Sequence, residues 1–95
     1  MSYKLKFFKS ALKEWKKLDP VVKNQFKKQL ERRLENPRVE TSRLRGYRNL
    51  YKIKLRSLGY RLAYVVKEKE ITIFVISVGR RDKIYELLRD KLRDS

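Results

Sequence analysis

Apolar side chains recur along the first half of the chain with two periods, one typical of strands and one typical of helices. Alternation over residues 3–8 predicts an opening strand. Helical spacing then predicts two helices, one capped by Ser10 and one that begins at Asp19 and Pro20 and ends before Pro37. Their apolar positions are Ala11, Leu12, Trp15 and Leu18 in the first helix and Val22, Phe26, Leu30 and Leu34 in the second. We expect an antiparallel helical hairpin with one shared apolar face.

In the second half of the chain two segments alternate with period two and a third is apolar on both faces, which predicts three consecutive strands with the third inside the sheet. They cover residues 50–56, 60–67 and 70–78. Gly79 is expected to end the third strand, and a last helix over residues 82–94 carries Ile84, Leu88 and Leu92 at helical spacing. The order βααβββα predicts an α+β fold. We expect an antiparallel β-sheet of about four strands, with the helical hairpin packed on one face and a C-terminal helix.

The net charge of +16, from 27 basic and 11 acidic side chains, is extreme for 95 residues. Such a charge predicts a polyanionic partner: a nucleic acid, an anionic membrane or a strongly acidic protein. The length suits a single domain, residues 1–95. The longest apolar run, residues 71–78, is too short to cross a bilayer, and the first residues lack the apolar core of a signal peptide. With the absence of cysteine, this predicts a soluble cytoplasmic protein that does not enter a membrane.

The chain contains no histidine and no cysteine. It therefore has no imidazole for acid–base catalysis, no thiolate nucleophile and none of the usual ligands of transition metals. We expect no cofactor and no metal, so any catalysis must rely on lysine, arginine, tyrosine, serine or a carboxylate.

A row of basic side chains occupies one face of the first of the three strands. Because successive side chains of a strand point to opposite faces, Lys52, Lys54 and Arg56 share a face at a spacing of about 7 Å. The short turn that follows is expected to bring Arg61 across from Leu55 or Arg56, within one or two residues of Lys54.

Other basic residues are expected near this row. Arg80 and Arg81 end the third strand, and Arg45 and Arg48 lie in the loop before the sheet. Tyr85 follows Arg81 by four residues, so a helix that begins there places both on one side. Tyr85 can stack on a nucleobase, or it can pack at the rim of the last helix.

Two interpretations of these basic residues remain open at this point. Runs of charge are usually solvated surface, yet residues 41–67 contain eight lysines or arginines and no acidic residue, whereas a stabilising surface mixes signs. A phosphodiester accounts for the excess, because RNA cleavage needs a base for the 2′-hydroxyl and cations on the phosphoryl oxygens. Neighbouring positive charges lower the pKa of a lysine, which makes Lys54 the best-placed base, and arginines can stabilise the transition state.

Short motifs along nearly the whole chain, in this order and spacing, resemble the RelE toxins of bacterial and archaeal toxin–antitoxin systems, in the RelE/ParE superfamily. The motifs are ALKEWKKL at residues 11–18, LRG at 44–46, YKIKLR at 51–56, GYRLAY at 59–64 and VGRR at 78–81, followed by Tyr85.

The resemblance implies a ribosome-dependent mRNA endonuclease (mRNA interferase) that cuts the codon in the ribosomal A site without a metal. The 2′-hydroxyl attacks in line and leaves a 2′,3′-cyclic phosphate and a 5′-hydroxyl. By position, Lys54 is the base, Lys52 and Arg61 stabilise charge, Arg81 acts at the leaving group and Tyr85 stacks on the mRNA. The expected RNA-binding residues are Arg45, Arg48, Arg56 and Arg80.

The resemblance also implies a small RelB-like antitoxin that wraps the toxin and can displace its last helix. The toxin alone is expected to be monomeric, and oligomeric with the antitoxin. Asp82, Glu86, Asp90 and Asp94 make the last helix the least basic part of the chain. Acidic antitoxin segments are therefore expected on the sheet and the helical hairpin.

Two other functions are compatible with the sequence. A ParE-like toxin of the same fold would inhibit DNA gyrase and cut nothing, although such relatives typically lack the basic catalytic set. A non-catalytic RNA-binding module with a basic face is also compatible with the composition.

Overall fold

The computed structural model describes residues 2–93, and its centre is one mixed sheet. The strands are β1 (Lys4–Phe7), β2 (Leu50–Leu55), β3 (Tyr60–Lys67) and β4 (Thr72–Arg80), in the spatial order β1-β4-β3-β2. The last three strands form the expected antiparallel meander, whereas β1 pairs in parallel with β4. The prediction of an antiparallel sheet is thus wrong for β1. Two helices between β1 and β2 carry the chain from one edge of the sheet to the other. As a result, β1 and β2 run in the same direction.

The helices confirm the expected element order, with differences at the starts of the first and the last helix. They are α1 (Lys9–Lys16), α2 (Pro20–Glu35) and α3 (Ile84–Arg93), and short 3₁₀ turns occupy Glu40–Ser42 and Glu68–Glu70. Asp19 caps α2, since its carboxylate accepts a hydrogen bond from the Val21 amide at 2.9 Å. Ser10 does not cap α1. The Phe8 amide still donates to the Val75 carbonyl at 3.0 Å, so the chain passes directly from the sheet into the helix.

Gly79 does not end the third strand of the meander, as its sequence position suggested. It lies within β4 and pairs with Arg61, and Arg80 pairs with Tyr60. The last helix begins at Ile84 rather than at residue 82, and the predicted last residue of that helix, Asp94, lies outside the described residues. None of the helices in the described part of the chain is both long and apolar enough to cross a membrane.

Two apolar cores lie on opposite faces of the sheet. The helical hairpin packs on one face, as predicted, with Phe26 and Leu30 against Ile53 and Tyr64. On the other face α3 covers a smaller core. Its members are Leu44, Leu50, Ala63, Ile76, Ile84 and Leu88. Because the apolar residues of β2 point mainly to the hairpin, its basic residues project from the face that α3 shares.

An irregularity in β4 changes the facing of its side chains. Ala63 pairs with Ser77 and Tyr64 pairs with Val75, so Ile76 is an extra residue in a β-bulge. Ile76 contributes to the core beneath α3, whereas Val75 contributes to the core beneath the hairpin.

The half of β4 that β1 does not cover is closed by two charged side chains. The Glu14 carboxylate of α1 accepts hydrogen bonds from the Ser77 hydroxyl and the Val78 amide, both at 3.1 Å. It also binds the Lys91 ammonium of α3 at 2.9 Å, and Lys91 donates to the Ile76 carbonyl at 2.8 Å. This network joins α1, the edge of β4 and α3, and so fixes the helix that carries Tyr85.

Candidate functional site

The basic row and its cross-strand neighbour form the centre of the site. Lys54 pairs directly with Arg61, and Lys52 pairs with Ala63. The predicted position of Arg61, across from Leu55 or Arg56, is wrong by one residue, because the turn takes up four residues and Tyr60 pairs with Leu55. Side chains directly opposite each other in such a pair have Cβ atoms about 5 Å apart. Arg61 is therefore an immediate neighbour of Lys54.

The electrostatic environment of Lys54 favours its neutral form. The charge of Lys52 is the largest cause that lowers the pKa of Lys54 below its ordinary value, followed by partial desolvation and by Arg56 and Arg61. The Tyr85 phenol acts in the opposite direction, which shows that α3 brings this ring close to Lys54. The structure thus brings four other predicted site residues, Lys52, Arg56, Arg61 and Tyr85, around the Lys54 ammonium group.

Arg81 reaches the site through the turn between β2 and β3. Its backbone amide donates to the Gly59 carbonyl at 2.9 Å. Because α3 begins only at Ile84, Arg81 lies in the turn before the helix. The expectation that one helix presents Arg81 and Tyr85 four residues apart is therefore wrong. Each residue is positioned by a different element.

A surface depression of 330 Å³ lies beside this turn. Its lining residues are Arg56, Ser57, Leu58, Gly59, Arg80, Arg81 and Asp82. The Arg80 guanidinium stacks over the Tyr60 ring, 5.9 Å from its centroid. Three guanidinium groups around one depression provide an electrostatic environment suited to a phosphate.

Arg45 and Arg48 are not part of this cluster. Both are exposed in the loop before Leu50, at the opposite end of β2 from Arg56. Lys54 lies four residue steps along the strand from Leu50, which corresponds to roughly 13 Å. A ligand must extend along the whole of β2 to contact both groups.

The structure also shows a groove that the sequence did not indicate. Gln25 and Gln29 of α2 line it together with Lys54. On a helix with many polar positions these two amides are indistinguishable from a solvated face, so the sequence carries no signal for them.

The fold and the site define a class of protein, and comparison with known proteins identifies it. A family model described as "ParE toxin of type II toxin-antitoxin system, parDE" matches residues 5–85. The chain is 53% identical over 83 residues to the mRNA interferase toxin RelE of Escherichia coli, which covers 87% of each protein.

Solved structures agree with this comparison. Toxin from the intact E. coli RelBE toxin–antitoxin complex is 53% identical, with a TM-score of 0.82, over 83% of this chain and 96% of that one. A double arginine-to-alanine mutant of E. coli RelE in the free state is 47% identical, with a TM-score of 0.90, over 99% and 98% of the two chains. The class is a type II toxin of the RelE/ParE superfamily. Within that class, the chain belongs to the RelE family, which confirms the resemblance of its motifs.

Proposed function

We propose that this chain is the toxin of a type II toxin–antitoxin system and acts as a metal-independent mRNA endonuclease in the ribosomal A site. The observation that carries the proposal is the direct pairing of Lys54 with Arg61, on a face where Lys52 and Tyr85 also approach the same ammonium group. The E. coli relative named an mRNA interferase supports the same activity. Since ribosomes and mRNA are cytoplasmic, we place the protein there.

In this mechanism a neutral Lys54 accepts the proton of the 2′-hydroxyl as its oxygen attacks the adjacent phosphorus. A bond forms between phosphorus and the 2′-oxygen, and the bond to the 5′-oxygen breaks. Lys52 and Arg61 stabilise the charge on the phosphoryl oxygens. Arg81 stabilises the leaving 5′-oxygen, which takes up a proton from solvent as its bond to phosphorus breaks. Tyr85, which is 47% exposed, stacks on a base of the codon. The products are a 2′,3′-cyclic phosphate and a 5′-hydroxyl.

The remaining predicted contacts concern binding rather than bond cleavage. Arg56 and Arg80 line the depression beside Arg81 and can hold a neighbouring phosphate. Arg45 and Arg48, at the far end of β2, would hold RNA outside the cleavage site. The toxin binds a RelB-like antitoxin in this proposal, as the E. coli relative does in the RelBE complex, and is monomeric without it.

Primer extension on an mRNA in a purified translation system tests the activity. Cuts in the A-site codon of stalled ribosomes are expected. The family model is described by its ParE member, so gyrase inhibition is the second candidate. Inhibition of DNA supercoiling at stoichiometric toxin, without cleavage of mRNA, would establish that candidate instead.

We expect no cleavage of RNA in the absence of ribosomes. Only the neutral form of Lys54 can accept a proton, and the exposed basic face does not hold the 2′-hydroxyl in line by itself. Incubation of the toxin with the same purified mRNA, with and without ribosomes, measures the difference. Efficient cutting of free RNA without a metal would contradict the requirement for positioning by the ribosome.

The rate of cleavage is expected to rise with pH as Lys54 loses its proton, up to its lowered pKa. Lys52→Met removes the largest cause of that lowering, so the rise in rate should move to higher pH. Lys52→Arg retains the charge and should leave the profile nearly in place. Single-turnover rates on ribosome complexes, measured across pH, compare the two variants. Identical profiles would show that Lys52 does not act through Lys54.

A further inference from the structure

A groove runs between α2 and the outer edge of β2, next to the cleavage site. Its volume is 480 Å³, within the range of small-ligand sites. Val21, Gln25 and Gln29 line it from α2. Lys54, Leu55, Arg56, Ser57 and Leu58 line it from β2 and the following turn. It is distinct from the arginine-lined depression, although Arg56 contributes to both.

The floor of the groove is the outer edge of β2 at Lys54. On the outer edge of β2, the Leu50 carbonyl accepts a hydrogen bond from the Leu44 amide at 2.9 Å. The Lys52 carbonyl accepts one from the Arg33 guanidinium at 3.2 Å. Because peptide groups of an edge strand alternate in direction, those of Lys54 face the same side. The groove begins at Lys54. The backbone N–H and C=O groups of Lys54 therefore offer one donor and one acceptor to a ligand.

The walls of the groove suit a flat nucleobase better than they suit an isolated charged group. Gln25 and Gln29 lie one helical turn apart, and each amide carries both donors and an acceptor. Val21 is 58% exposed and Leu58 is 37% exposed, and both offer an apolar surface to a flat ring. The eight lining residues, all in the described part of the chain, include two basic and no acidic side chains. This charge favours an anionic ligand, and the two amides beside flat apolar surface favour a nucleic-acid base within that class.

We propose that this groove binds one unpaired base of the mRNA codon, next to the scissile phosphate, and that Gln25 and Gln29 contact its edge. The proposal rests on the proposed ribonuclease function, because Lys54 lines both the groove and the cleavage site. Glutamine amides match the donor and acceptor pattern of a base edge, and single-stranded bases are read in this way. The two glutamines are therefore specificity-determining residues for the codon.

The test compares Gln25→Leu and Gln29→Leu, which keep the size of the side chain and remove its hydrogen bonds. Asn24→Leu, an exposed neighbour on α2, is the matched control. Cleavage sites are counted over all codons in a purified translation system by sequencing the new 5′-hydroxyl ends. We expect the preference among bases at one codon position to fall at least about fivefold in the glutamine variants, within the range for loss of one base contact. Total cleavage by the Asn24→Leu control should remain within about threefold of the unaltered protein.

Other outcomes overturn the proposal in distinguishable ways. A codon profile identical to that of Asn24→Leu excludes base contact in the groove, while A-site cleavage by the unaltered protein leaves the ribonuclease function in place. A uniform loss at every codon assigns the groove to the ribosome or the RNA backbone. Weaker antitoxin binding with an unchanged codon profile assigns it to the protein partner. If the unaltered protein cuts nothing, it is the proposed function that fails.

Discussion

Lys54→Ala is expected to reduce the rate of codon cleavage about 10²–10⁴-fold, which is the usual contribution of a general base. Alanine leaves the strand and its pairing with β3 intact but removes the ammonium group whose pKa Lys52, Arg56 and Arg61 lower. Ribosome binding should change little, because the chain retains 26 of its 27 basic side chains. Primer extension measures cleavage, and co-sedimentation with ribosomes measures binding.

The matched control is Lys67→Ala, an exposed lysine at the far end of β3 from Arg61. It should cleave as the unaltered protein does. Arg81→Ala is expected to abolish cleavage as well, because it removes the cation that we propose acts at the leaving group. Full activity of both Lys54→Ala and Arg81→Ala would exclude the assigned mechanism.

Glu14→Ala is expected to lower the free energy of unfolding by about 2 kcal/mol, since it leaves a partly buried ammonium and a strand amide without their partner. The carboxylate binds Lys91, the Val78 amide and the Ser77 hydroxyl at once. The side chains of Glu14 and Lys91 are 23% and 15% exposed, so screening by solvent keeps the effect below that of a fully buried pair. Urea denaturation measures the change.

Two further variants separate the parts of this effect. Glu14→Gln keeps an acceptor for the Val78 amide and should cost less than alanine does. Lys13→Ala, exposed on the same helix, should leave the stability within about 0.5 kcal/mol. If Glu14→Ala were as stable as Lys13→Ala, the network would not hold α3. Amide exchange in α3 should also be faster in Glu14→Ala.

The helices and strands could be predicted from short sequence patterns, because helix capping and apolar periodicity depend on residues that are close in sequence. Asp19 and Pro20 begin α2 where the sequence indicated, and Ile84 and Leu88 form the buried stripe of α3. The parallel pairing of β1 with β4 was missed. That pairing follows from the path of two helices over the sheet, and nothing within Lys4–Phe7 specifies its neighbour.

The basic residues of the site were predictable for the same reason, and their arrangement was not. Strand alternation is enough to place Lys52 and Lys54 on one face. The exact partner of Lys54 depended on the length of a turn, and the position of Arg81 depended on a hydrogen bond to Gly59. No sequence pattern marks Gln25 and Gln29, because the role in base binding proposed for them depends on the strand edge beside which α2 lies.

The extra residue in β4 determines how much space lies opposite Arg61. If the same residues of β4 paired regularly, without the bulge at Ile76, Val78 rather than Gly79 would pair with Arg61, and an isopropyl group would fill the basic face. With it, the residue opposite Arg61 has no side chain, and a Cβ there would meet only the Leu87 methyl of α3 at 3.5 Å. The space at the site therefore depends on a bulge in a strand that has no charged side chain before its last residue. A relative with every basic residue but with regular pairing in place of the bulge would present them against a closed surface.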